Sequence, residues 1–175
     1  IPILTLIILA IPLTQRIGQW SLPSQFFHNE IKNHPRSPRT FSGLGYQQSI
    51  VNQHQKAIRS YQMAARLDPD ETGYHLAIIE VIFFRMKEMP PQELVDLTER
   101  FLRNQKITSY TASLLYSIAI ESLNMDEDDP LANRAMVERF LVAATENKQP
   151  WFSKNYLGEA YFYLGEIKYR QNKLE

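Results

Sequence analysis

The chain has 175 residues, 44% hydrophobic and 22% charged, which is enough apolar material for one packed core. Lys plus Arg and Asp plus Glu both number 19, and the resulting zero net charge excludes broad electrostatic attraction to nucleic acid or to an anionic membrane surface. The absence of cysteine excludes disulfides, thiolate catalysis and Cys-based zinc sites, and leaves the compartment open.

Residues 1–15, IPILTLIILAIPLTQ, carry no charge, and Arg16 is the first charged residue. A spanning helix needs about 20 apolar residues. The run therefore reads as the last part of a transmembrane helix that starts upstream of Ile1, with Trp20 near the interface. Pro2 and Pro12 are tolerated in membrane helices. A signal-peptide core and a buried segment of a soluble domain are the alternatives, and no clear small-x-small cleavage site follows the run. Residues 16–37 form a junction. Within it, 22–34 predicts a short amphipathic helix with Phe26, Phe27 and Ile31 facing the next element, and Pro35 and Pro38 bracket the turn after it.

The stretch from Pro38 to Pro69 carries the strongest pattern. Phe41, Leu44 and Gly45 fall in one helical run, and Ala57, Tyr61 and Ala64 in a second, with Pro69 at the close. This spacing resembles the tetratricopeptide-repeat signature, W-x2-L-G-x2-Y followed by A-x3-F and a closing Pro. Gln48 stands where the signature carries Tyr. The resemblance implies two antiparallel helices over 38–71. Gly45 and Ala57 let them approach, Phe41 and Tyr61 fill the space beside that contact, and Asn52 ends the first helix in a left-handed conformation. Pro35 and Phe27 lie 34 residues before Pro69 and Tyr61, the period of the family, so the chain enters on the second helix of an incomplete earlier unit.

Residues 72–150 match the signature poorly and read as degenerate hairpins of the same kind. The apolar segment 72–87 predicts a helix by its place one period on. Pro90-Pro91 breaks it and starts another, with a stripe of Leu94, Leu97, Phe101 and Leu102. Residues 108–123 predict the next helix. MDEDDP at 125–130 is an acidic loop in which Asp129 caps, and Pro130 begins, a helix that buries Ala135, Met136, Phe140, Ala143 and Ala144. Residues 151–175 open a further repeat, in which Tyr161, Leu164 and Gly165 recur at the signature spacing and Asn172 occupies the place of Asn52. The pattern breaks off at Glu175, and the reading is that of part of a longer protein. The fold class is all-α: antiparallel hairpins stacked as a tetratricopeptide-like solenoid, preceded by the end of a transmembrane helix.

No residues nominate a catalytic, cofactor or metal site. His28, His34, His54 and His75 include no pair four apart on one helix face. The loop at 126–129 lacks the glycine of a calcium loop and has Val137 at its twelfth position. No phosphate-cradling glycine loop and no G-x-S-x-G elbow is present. In the resembled family the first helices line a concave face. That implies a groove with Arg39, Ser42, Tyr46 and Ser49 from one repeat and Glu80 and Phe83 from the next. Chaperone-binding members hold a carboxylate there with Lys and Asn, and Ser42 and Tyr46 at the corresponding places depart from that clamp. The implied partner is a protein or peptide, or a glycan acceptor.

The order of apolar run, Arg16, Trp20, short helix, Pro35 and Leu44-Gly45 looks like the junction in multi-pass bacterial membrane proteins with tetratricopeptide tails, of the O-antigen ligase, polymerase or mannosyltransferase kind. That resemblance implies a non-catalytic, membrane-tethered scaffold in cell-envelope glycan assembly, with its tail in the periplasm. The alternatives are a tail that takes part in acceptor binding by a glycosyltransferase, and an assembly factor for pili or outer-membrane machinery.

Overall fold

The computed structural model of the protein describes residues 23–125, 134–149 and 154–171, and every element of secondary structure among them is helical. The apolar run at 1–15, Trp20, Asp129, Pro130 and Asn172 lie outside the described residues. No helix among the described residues is long and apolar enough to cross a membrane.

The chain opens with α1 (Pro23–Asn33), followed by α2 (Pro38–Ile50) and α3 (His54–Leu67) as an antiparallel pair. Ser37 starts α2: its Oγ accepts from the Thr40 N–H at 3.3 Å, and Pro38 occupies the first turn, where a missing N–H leaves no bond unmade. Asn52, with φ 59°, ends α2 in the expected left-handed region, and the Gln53 N–H donates back to the Gln48 carbonyl at 2.8 Å. Leu44, Gly45, Ala57, Tyr61 and Ala64 are buried in this hairpin and Phe41 is half-buried. A Cβ on Gly45 would lie 3.1 Å from the Tyr61 ring, so the small residue is what admits that ring. Gln48, in the place of the signature Tyr, accepts a hydrogen bond from Ser60 Oγ at 2.7 Å across the pair. Pro69 is exposed beyond the end of α3. It stops the helix from outside the packed hairpin.

The helix predicted over 72–87 is α-helical only as α4 (Gly73–Glu80). Val81–Arg85 continue as a π-helical turn, closed by the Met86 N–H on the Val81 carbonyl at 3.0 Å. After the turn at Lys87 (φ 59°) come α5 (Gln92–Asn104), α6 (Ser109–Asn124), α7 (Arg134–Thr145) and α8 (Lys154–Gln171). Thr108 caps α6 by accepting from the Thr111 N–H at 3.0 Å.

Among the described residues consecutive helices pack on one another except α5 and α6, and longer-range pairings join α4 to α6, α6 to α8 and α5 to α7. Two apolar clusters hold the structure. The larger joins α4 to α8 through side chains such as Phe83, Leu102, Leu115, Ile118, Phe140 and Ile167. The smaller, with Ala57, Tyr61, Ala77, Ile78 and Val81, holds the α2–α3 pair to α4.

Two packing expectations are corrected. Ala135 is exposed, because the buried stripe of α7 runs through Met136, Val137, Phe140, Leu141 and Ala144. On α8 the buried stripe is Ala160, Tyr163, Leu164 and Ile167. Leu164 therefore packs inward as expected. Tyr161, one residue off that stripe, is 56% exposed, and a Cβ on Gly165 would meet nothing within 4 Å. The contact that Gly45 makes with Tyr61 thus has no counterpart at Gly165 among the described residues.

Candidate functional site

A groove of about 1410 Å³ opens where α2, α4 and α6 come together, with α1 at one side and Tyr61 of α3 beneath it. From α2 it takes Arg39, Ser42, Tyr46 and Ser49, and from α4 it takes Glu80. Five of the six groove residues expected from the sequence therefore line one surface. Phe83 does not. It is fully buried in the larger cluster, in edge-to-face contact with Phe84 at 4.8 Å. The cause is local: the wider π turn that begins at Val81 changes the helical phase after Glu80.

The same turn positions a residue the sequence did not nominate. In an α-helix, residues five apart point about 140° away from each other. Here the extra residue in the turn brings Arg85 back to Glu80, and its Nη2 donates to Glu80 Oε1 at 3.3 Å and to Glu121 Oε1 of α6 at 3.0 Å. Arg85 and Glu80 both line the groove. Burial, and next the charge of Glu121, push the Glu80 carboxyl above the usual range, against the opposing pull of Arg85.

The wall opposite α2 is α6, which contributes Ser109, Tyr110, Ser113, Leu114 and Ser117. The serines recur every four residues, so they lie along one face. That stripe, in a helix otherwise rich in apolar residues, was the available sequence signal, although nothing in it identifies the facing helix. Tyr110 bridges the walls: its hydroxyl hydrogen-bonds Ser42 Oγ at 2.9 Å, and its ring lies on Gly73 at the start of α4. Glu71 holds α4 to α6, accepting from the Gly73 N–H at 2.9 Å and from the hydroxyls of Thr108 and Thr111. Burial raises the Tyr110 hydroxyl to about 12, and Tyr61 and Tyr74 are raised for the same first reason, so all three remain neutral near pH 7.

The groove therefore offers tyrosine rings, a row of hydroxyls and a few half-buried charges. Among the described residues no group of three or more His, Asp or Glu is placed to hold a metal ion. Comparison with protein-family models, with curated proteins and with solved structures returns no match.

Proposed function

We propose that this chain is a non-catalytic interaction domain of the tetratricopeptide kind, in which α2, α4 and α6 present a groove to a segment of a partner protein. The observation that carries this reading is that alternate helices, separated in sequence by α3 and α5, meet on one concave surface. The packing of α4 on α6, α5 on α7 and α6 on α8 is of the kind that stacked hairpins produce, and concave faces are the binding surfaces of such stacks. The charged groups of the groove favour binding over proton transfer. Glu71 is held by neutral donors, and Glu80 and Glu121 share Arg85.

The wider setting rests on the sequence. The apolar run at 1–15 would tether the domain to a membrane beside a system that assembles cell-envelope glycans, with the groove outside the cytoplasm. A second reading, a tail that holds a glycan acceptor for a transferase, is favoured by the Tyr46, Tyr61 and Tyr74 rings and the α6 hydroxyls, which suit sugar faces and sugar hydroxyls.

The groove is tested by selecting a random peptide library on the chain and on its Ser113→Trp variant, which fills the groove from the α6 wall. Peptides that bind the first and lose the second support the reading. Peptides that bind both equally place the site elsewhere. Protease protection of the membrane-borne protein in sealed vesicles tests the setting. A tail that is cut from the cytoplasmic side would rule out the envelope reading.

A further inference from the structure

Among the described residues, the groove is lined by three carboxylates, Glu30, Glu71 and Glu80, and by two cations, Arg39 and Arg85. Glu80 and Glu121 have only the single guanidinium of Arg85 between them. Glu71 forms no ion pair with a described residue and is held by an amide and two hydroxyls. Arg39 is the other cation of the lining, but it is exposed at the rim, where water and salt weaken its reach. The lining carboxylates Glu30, Glu71 and Glu80 are partly withdrawn from water, where the same charge acts more strongly.

An independent feature points into the same place. Tyr61 is 5% exposed, with its ring held against Gly45, and it lines the groove. No hydrogen bond joins its hydroxyl to another described residue, although Tyr110, Glu80 and Tyr46 stand close enough to act on it electrostatically. The ring is buried while the hydroxyl oxygen is not enclosed by protein, so it opens to the groove with its hydrogen-bonding capacity unused. Ammonium and guanidinium groups carry donors only, which suits a phenol oxygen and a carboxylate together. Tyrosine faces also attract cations.

We infer that the groove recognises a basic side chain, a lysine or arginine of an extended partner segment, seated among Tyr46, Tyr61 and Tyr110 against Glu80. The inference rests on the groove being the partner-binding surface and adds the chemistry of what enters it. An arriving cation takes over the contact with Glu80 and leaves Arg85 to Glu121. The Ser109, Ser113 and Ser117 row then meets the amides of the segment's backbone, because serine is too small to hold a chain away from the wall.

The test uses the 175-residue chain with isotope-labelled tyrosine, followed by NMR during titration with N-acetyl-arginine N-methylamide and with its uncharged citrulline counterpart. The arginine probe is expected to shift the signals of Tyr46, Tyr61 and Tyr110. Its binding should weaken by about tenfold or more in Glu80→Gln, since a hydrogen bond to a charged group is lost. It should weaken by a similar factor in Tyr46→Ala, whose exposed position leaves folding intact. Equal shifts with citrulline, unchanged binding in Glu80→Gln, or no shift at these tyrosines would overturn the inference. The peptide selection separates this failure from failure of the groove itself. Peptides without Lys or Arg that are lost on Ser113→Trp, or a saccharide that binds there in place of peptides, keep the groove and sink the basic side chain. Peptides indifferent to Ser113→Trp sink both.

Discussion

Three glycines of the groove region each lie against an aromatic ring: Gly43 on Phe27, Gly45 on Tyr61 and Gly73 on Tyr110. In each case the missing side chain lets a ring rest on helix backbone. Gly45→Leu is the sharpest probe, because the Tyr61 ring it would strike is itself buried and has little room to move. Overpacking of this kind costs about 1–3 kcal/mol. A urea titration should show the loss as a lower midpoint, and an unchanged midpoint would count against the helix registration described above. His75 offers a second test. Burial lowers its pKa, its Nδ1 has no hydrogen-bond partner among the described residues, and its ring meets Phe101 edge-on at 5.3 Å. The unfolded chain, with histidine near about 6.5, then takes up a proton before the folded one does. Stability from this site is complete above about pH 6.5 and falls as the pH drops below it. His75→Phe is expected to flatten the melting temperature between pH 7 and 5, and an identical slope in the variant would show that the effect arises elsewhere.

Among the elements, α2 depends most visibly on its ends. Ser37 Oγ accepts from both the Thr40 N–H and the Thr40 hydroxyl, and Asn52 closes the other end. Ser37→Ala should cost about 1 kcal/mol, the usual value of a lost cap. The loss should appear as faster amide exchange in the first turn of α2, with α6 unaffected. The π turn at Val81–Arg85 has a different consequence, since it rotates Phe83 into the core and Arg85 toward Glu80. Such turns are rare and gather at functional sites, which accords with this one lying in the groove wall.

The molecule as a whole is held unevenly. The larger cluster ties α4 to α8, while α2 and α3 attach through the smaller one. On the α5–α7 surface, Arg139 pairs with Asp96 and Glu99, and Arg103 with Glu99 and Glu146. Hydrogen bonds from Arg139 and Gln92 lower the Asp96 carboxyl. At Glu99 burial acts upward, and the Arg139 and Arg103 contacts outweigh it. Exposed pairs of this kind contribute modestly, so stability is governed by the apolar clusters. Leu115→Ala removes a fully buried side chain from the larger cluster and is expected to cost about 2–5 kcal/mol. Hydrogen exchange should show the loss in α6 and α7 with little change in α2 and α3. A uniform loss along the chain would mean that the molecule opens as a single unit.

The α2–α3 hairpin was legible because its determinants are local. Gly45 and Ala57, Tyr61, the Asn52 turn and the stop before Pro69 all fall within one helical pair, where spacing translates directly into contact. The α2 side of the groove, Arg39, Ser42, Tyr46 and Ser49, was expected from the resemblance to repeats whose first helices line a concave face. The α6 wall was not. Ser42 meets Tyr110 across 68 residues, Arg85 meets Glu121 across 36, and Glu71 reaches Thr111 across 40. Periodicity states which residues share a face of one helix, and it carries no information on which face of another helix lies opposite. Phe83 shows the limit within a single element: its phase was set by a π turn that forms where α4 packs between its neighbours. Local spacing therefore specified the hairpin and its turns, while the packing of distant helices determined where the groove opens and which charges lie on its floor.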